Sequence, residues 1–350
     1  MPTSRPAPAP LRSRRTALGL VLGGLAAVAT ACAEGEPSGG GSGGGAAAAS
    51  GRVRLDYALY NPLSLVVRQR RILEDAGLEV VWEQSLGSNK ANEFLRNDNL
   101  DVASTAGSAV LQARANGSAV RTIDVYSQPE WTALVVAKGS TAQDVASLRG
   151  KRIAATTGTD PYFFLQQALA EAGLSASDVE ITNLQHADGR AALERGDVDA
   201  WAGLDPNMAA SQLQAGSRLL YRNVAFNTFG MLNAREQFLE ESPELAQQVV
   251  DAYGQARSWA IANPEELASL YAEQAQLTPE VAQLVLERTG FDIDPVPGEA
   301  QRKVLEAIVP LMAASGDVDS EQVAGEALDG LFAPEFAEKA IASASPSVGS

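Results

Sequence analysis

The residues of this chain best suited to chemistry lie in two short loops of hydroxyls and glycine. Ser104-Thr105-Ala106-Gly107-Ser108 follows an apolar stretch ending at Ala103, and Thr156-Thr157-Gly158-Thr159-Asp160 follows another ending at Ala155. Each leads into helical spacing. A loop of this kind offers hydroxyl donors, a glycine that admits close backbone approach, and the unpaired N–H groups of a helix start, where the helix dipole is positive. Two such loops could hold one small anion between them without any arginine. Ser, Thr and Asp are also the ordinary N-cap residues, so either loop alone reads equally well as a cap. Their equivalent places in two successive runs of elements favour a site.

Other chemistries are limited by count. The chain has one histidine and one cysteine, so histidine triads, multi-histidine metal sites, structural cysteine–zinc sites and internal disulfides are excluded. No cofactor or metal is expected. His186 and its neighbour Gln185 fall in a further loop after a strand, and His186 reads either as a polar loop residue or as a ligand contact. Trp131 reads as core or as site. Asp205 can cap the helix that begins near Met208, order its loop, or meet a cationic group of a ligand. The acidic stretches 236–244 and 317–321 read as solvated helical surface.

The elements that must position these loops alternate. Strands are expected at 52–59, 78–82, 101–103, 120–126 and 131–137, with helices at 63–76, 91–97 and 108–115 between them. The pattern then restarts with strands at 152–155, 179–183, 198–200, 219–221 and 228–233, and helices at 162–172, 190–195 and 208–214. From Pro243 onward the chain is almost wholly helical, broken at Asn263-Pro264, Thr278-Pro279 and Pro295–Pro297. Strands alternating with helices imply parallel sheets covered on both faces, and two such runs imply two α/β lobes. In open α/β sheets ligands bind beyond the carboxyl ends of the strands, where both hydroxyl loops fall.

The amino-terminal end reads as an address. Arg5, Arg12, Arg14 and Arg15 precede an uncharged run to Ala31, in the order of an export signal. That run is too short for the roughly 20 residues of a spanning helix. Cys32, just after Ala29-Thr30-Ala31, is the expected site of lipidation. Ser13-Arg14-Arg15 leaves ordinary and twin-arginine secretion both open. Residues 32–51 form a glycine- and serine-rich tether, a flexible coil by composition. The chain carries 27 basic and 43 acidic residues, net −16, and removal of the signal takes away four arginines and no acid. Such a charge repels nucleic acid and anionic lipid, which excludes nucleic-acid binding.

Three segments carry a family resemblance. Leu95 to Ala103 leads into STAGS; LRGKRIAATTGTDPYFFLQQAL spans Leu148 to Leu169; ALERGDVDAWAGLDP spans Ala192 to Pro206. In order and spacing, over roughly 52–233, they resemble the aliphatic-sulfonate, taurine and nitrate-type substrate-binding proteins of ABC importers. The resemblance implies a type II periplasmic-binding-protein fold: two lobes joined by two crossings, near 131–137 and 226–233, with the carboxyl-terminal helices packed back on the first lobe. Lobe 1 would comprise 52–136 with 230–340, and lobe 2 would comprise 137–229. Closure on ligand would be the signal read by the permease and ATPase.

The resemblance also implies site positions. Thr105, Gly107 and Ser108 match the first-lobe oxyanion loop. Thr157, Gly158, Thr159 and Tyr162 match the second-lobe loop and its helix start, and Asp205 matches the acid of the family's Trp-Asp-Pro segment. Asn61, Leu63, Trp131, Gln185 and His186 are candidates by position. Leu204 and Asn207 stand where the family usually has aromatic residues, which makes a pocket less suited to an alkyl chain. The expected molecule is a monomeric, lipid-anchored binder of a small organic anion on the outer face of the cell membrane, and not an enzyme. Nitrate or taurine binding and a thiamine-precursor binder on the same fold remain alternatives. So does an enzyme on the same scaffold, which would need positioned acid–base groups that these loops largely lack.

Overall fold

The computed structural model describes residues 51–344. Cys32, the export signal and most of the tether lie outside the described residues. The first run of elements comprises β1 (Arg52–Tyr57), α1 (Pro62–Gln69), α2 (Ile72–Asp75), β2 (Glu79–Gln84), α3 (Ser88–Arg96), β3 (Val102–Ala106), α4 (Gly107–Ala115) and β4 (Val120–Pro129). The second comprises β5 (Thr132–Val136), β6 (Arg152–Ala155), α5 (Asp160–Glu171), β7 (Glu180–Asn183), α6 (His186–Arg195), β8 (Ala200–Leu204), α7 (Asn207–Ala210), which continues as a π turn over Ser211–Ala215, and β9 (Arg218–Tyr221). The chain returns through β10 (Gly230–Arg235). It then runs through α8 (Glu236–Glu241), α9 (Pro243–Ala262), α10 (Pro264–Gln274), α11 (Pro279–Glu287), the two-residue β11 (Thr289–Gly290), α12 (Glu299–Glu306), α13 (Val309–Ser315), α14 (Glu321–Asp329) and α15 (Glu335–Ala344).

Two sheets result, as the repeated alternation requires. The first has the order β11-β4-β10-β3-β1-β2 and the second β7-β6-β8-β5-β9. Within the first, β1 pairs parallel with β2 and β3, while β10 runs antiparallel between β3 and β4. Within the second, β6 pairs parallel with β7 and β8, while β5 runs antiparallel to β8 and β9. The strands that run against their neighbours are the first after each crossing: β5 enters the second sheet and β10 re-enters the first. This is the two-lobed, type II periplasmic-binding-protein fold with a helical carboxyl-terminal extension. The passage between sheets falls at Glu130-Trp131, so β5 hydrogen-bonds wholly in the second sheet although residues up to 136 were expected in the first lobe.

Central strands are buried on both faces, which is why their sequences read as unbroken small and apolar runs. All residues of β3, β5 and β8 are buried. For β3 this extends the strand through Ser104, Thr105 and Ala106, which the sequence pattern assigns to a loop. The carboxyl-terminal helices do not serve the first lobe alone. α9 packs on α1 and β4, and α12 and α14 on α4, but α13 reaches α5 and α11 reaches α7 in the second lobe. One continuous core accordingly joins Val110 and Leu111 of α4, Phe163 and Phe164 of α5, and Leu305 and Met312 of the tail.

Candidate functional site

Four helices begin where the lobes face each other. α3 and α4 start in the first lobe, α5 and α6 in the second, and their N-cap positions are Gly87, Ala106, Thr159 and Gln185. None of the four is capped by the side chain of its own N-cap residue, whereas α1, α11 and α14 are capped by Asn61, Thr278 and Ser320. The four starts lie close together. A Cβ placed on Gly87 would stand 3.0 Å from His186 Nε2, and one on Gly158 would stand 3.6 Å from Asn89 Cβ and 3.4 Å from Gln112 Oε1. Gly158 has φ +72°, a left-handed conformation that favours glycine. Uncapped helix starts concentrate positive potential and free donors, so this junction suits an anion.

A carboxylate already sits at one side of it. Asp160, the first residue of α5, is buried and accepts four hydrogen bonds from neutral donors. Oδ1 accepts from Ser108 Oγ at 2.7 Å and from Thr228 Oγ1 at 2.6 Å, and Oδ2 accepts from Trp131 Nε1 at 2.8 Å and from the Thr228 N–H at 3.1 Å. Ser108 belongs to α4, and Trp131 and Thr228 to the two crossings. Burial pushes the Asp160 carboxyl above the usual range, with these donors working against the rise.

The glycine loop of the first lobe is engaged in the same way. Gly107 N–H donates to Thr228 O at 3.1 Å, and Ser108 N–H donates to Thr228 Oγ1 at 2.9 Å. A Cβ on Gly107 would lie 2.4 Å from Thr228 O. The close approach that this glycine permits is that of the returning chain. Thr105 faces away, with its hydroxyl accepting from Asn233 Nδ2 at 2.8 Å and donating to Ala106 O at 3.1 Å.

On the other side several polar atoms are buried without a protein partner, among them Asn89 Oδ1, Gln185 Oε1 and His186 Nε2. Thr156 Oγ1 donates its one proton to Leu184 O at 2.7 Å, so at the 3.1 Å contact His186 Nδ1 must be the donor. Nε2 is then a bare acceptor. Burial lowers the His186 pKa to about 4, which keeps the ring neutral.

The sequence-predicted residues therefore divide. Ser108 and Trp131 meet at Asp160, while Gly158, Gln185 and His186 line the facing helix starts. Thr157 donates its N–H to Asn183 Oδ1, and the Thr159 hydroxyl donates to Thr156 O. Tyr162 turns toward Asp317 of the tail; burial and that acid push its phenol up to about 12. Asn61 caps α1 and donates to Ser104 Oγ at 2.8 Å and to Tyr253 Oη at 3.2 Å, and Leu63 is core. Asp205 accepts from the Ala209 N–H at 2.8 Å and is ion-paired with Arg288 at 3.3 Å, with both side chains buried. It has no charge to spare for a ligand cation. Sequence reasoning missed Thr228 and Asn89, and it read Asp160 only as part of a loop.

A cavity of ≈ 660 Å³ lies elsewhere, between α9 and α15 near Val250, Gly254 and Pro295. Its one arginine, Arg257, is held by Asp124 and Val125 O, so the anion chemistry remains at the four helix starts. Among the described residues no helix is long and apolar enough to cross a membrane, and no cluster of metal-ligating side chains is present.

Comparison with known proteins gives the chain's family and fold. Residues 68–267 match the family described as NMT1/THI5 like. The chain is 28% identical over 290 residues to an aliphatic sulfonates-binding protein of Escherichia coli strain K12, covering 81% of this chain and 88% of that one. It is 31% identical over 232 residues to a protein of the same name from Bacillus subtilis strain 168, covering 64% of this chain and 70% of that one. Among solved structures, the alkanesulfonate-binding protein of Xanthomonas axonopodis pv. citri bound to MOPS superposes with a TM-score of 0.72 at 25% identity. That match covers 79% of this chain and 97% of that one.

Proposed function

The chain belongs to the NMT1/THI5-like family, and from that premise we propose that it is the exported solute-binding subunit of an ABC importer. It takes a small organic oxyanion, a sulfonate, between its two lobes, and their closure presents the loaded form to the permease. The observation that carries this reading is the convergence, across the two lobes, of the starts of α3, α5 and α6, none of them capped by an N-cap side chain. Backbone N–H groups and helix dipoles can hold a sulfonate's oxygens without the desolvation cost of a buried lysine or arginine. Relatives named for sulfonate binding support the ligand class. The unpartnered atoms of Asn89, Gln185 and His186 are available to the rest of the ligand. The neutral imidazole and the scarcity of free acid–base groups fit a binder better than an enzyme.

Cys32, acylated after signal removal, would anchor the protein through the 32–51 tether at the outer face of the membrane, and the working form is a monomer. The test of the ligand is thermal and urea unfolding with methanesulfonate, taurine, MOPS, nitrate and sulfate. A ligand at a hundred times its Kd stabilises the native state by about 2.7 kcal/mol. Absence of stabilisation by every sulfonate would remove the reading, and turnover of any of them by the purified protein would replace it with an enzyme.

A further inference from the structure

The Asp160 carboxylate is set like a ligand. It is buried, it meets no arginine or lysine, and four neutral donors from three separate parts of the molecule converge on it. One of those donors, the Ser108 hydroxyl, stands at the start of α4, and the other three bonds come from the crossings; the Ser108 N–H is itself held by Thr228 Oγ1. A carboxylate and a sulfonate carry the same single charge and both accept hydrogen bonds through oxygens. A crown of this kind, hydroxyls, an indole N–H and a backbone N–H with no cation, can hold a buried oxyanion. The anion in it belongs to the opposite lobe.

We propose that Asp160 is a resident anion that latches the clamp: the second lobe's carboxylate occupies a crown built from Ser108 of the first lobe and Trp131 and Thr228 of the crossings, holds the lobes together without ligand, and must be displaced or repelled by an incoming anion. The proposal rests on the anion-binding reading above and adds a residue that sets its threshold.

Three features follow from the geometry. Separation of the lobes must break the Ser108–Asp160 bond, because its two ends lie on α4 and α5. Trp131 and Thr228 tie the same carboxylate to both crossings, so one side chain couples the hinge to the cleft. Finally, an anion bound at the starts of α5 and α6 would share a poorly solvated space with a like charge, which lowers the affinity of every anion that offers no compensating contact. The clamp would then select anions able to compensate through the acceptors left open at Asn89, Gln185 and His186.

The experiment compares the wild-type protein with D160A, D160N and S108A. In D160N the amide N–H₂ faces Trp131 Nε1 or the Ser108 and Thr228 hydroxyls, so the crown is broken without loss of volume. S108A removes only the bond between α4 and α5. Small-angle scattering without ligand should show a larger radius of gyration for all three variants than for the wild type. Calorimetry with methanesulfonate and MOPS should show D160A and D160N binding about tenfold tighter or more, because apparent affinity scales with the open fraction and a clamp latched about nine-tenths of the time binds about tenfold more weakly. Unchanged scattering in S108A and D160N would overturn the latch. So would weaker sulfonate binding in D160A, which would make Asp160 part of the ligand's own support. Should one Asp160 variant fail to fold, S108A scattering decides alone. If no sulfonate binds any form, the ligand reading of the previous section falls, while the ligand-free scattering still decides the latch.

Discussion

Arg288→Met is the substitution whose consequence can be worked furthest. Arg288 lies just beyond the end of α11, and its guanidinium pairs with Asp205 at the end of β8, joining the helical tail to the second lobe. Side-chain exposure is 9% for Arg288 and 2% for Asp205. Methionine keeps most of the aliphatic stem and leaves the carboxylate with the Ala209 N–H as donor. Breaking a buried pair from one side costs about 3–5 kcal/mol because the other charge stays behind. The cost must depend on pH. Asp205 titrates at about 6, held up by burial and pulled down by Arg288, so the native protein already binds more protons than the unfolded chain between roughly pH 4 and 6. The stability tied to that proton is complete below about pH 4 and is lost as pH rises through 6. Without Arg288 the carboxyl titrates higher still and can escape the penalty only by protonation. Urea unfolding should therefore show a loss of about 3–5 kcal/mol at pH 8 and about 2 kcal/mol or less at pH 5. The D205N/R288M double variant should recover part of the loss at pH 8. A deficit below about 1 kcal/mol at pH 8, or an equal deficit at both pH values, would show that the pair does not bind tail to lobe as argued.

Two further outcomes follow from buried groups of the first lobe. Asp56 accepts from the N–H and hydroxyl of Ser104, leaves Oδ2 without a partner, and is pushed up to about 7 chiefly by burial. Its contribution is therefore lost as pH rises from about 4 to 7, and D56N should flatten the urea-stability profile there by up to about 1.4 kcal/mol per pH unit; an unchanged slope would place the titration elsewhere. G107A puts a methyl 2.4 Å from Thr228 O and 2.7 Å from Met231 Cε, and it should lower stability by about 1–3 kcal/mol in urea unfolding without ligand. A neutral result would mean that the returning chain gives way freely.

The fold was legible because its signals are local. Small apolar runs such as Ala200–Leu204 and glycines such as Gly173 and Gly196 at helix ends mark elements within a few residues, and their repetition gives two lobes. The site was only half legible, because one local signature serves several ends. A Ser, Thr or Asp at a helix start looks the same whether it caps, binds a ligand or meets a residue 68 positions away, as Asp160 meets Thr228. Gly107 had to be a glycine, but the approaching backbone is that of Thr228. Asp205 was rightly singled out as an acid at a strand end, yet its partner lies 83 residues on, in a helical tail whose packing has no periodic signal.

The same comparison explains why the missed residues are those that cross between lobes. Strand and helix patterns record which face of an element is buried. They carry nothing about which two elements meet when two lobes close, so Asn89 against Gly158 and Gly87 against His186 could not be read from them. One such crossing residue carries a charge. Four neutral hydrogen bonds that converge on Asp160 from α4 and both crossings make it the point where hinge, cleft and electrostatics depend on a single side chain. For that reason its substitution should change lobe spacing and anion affinity together, whereas loss of Asn61 or Thr105, which are spent on local packing, should change stability alone.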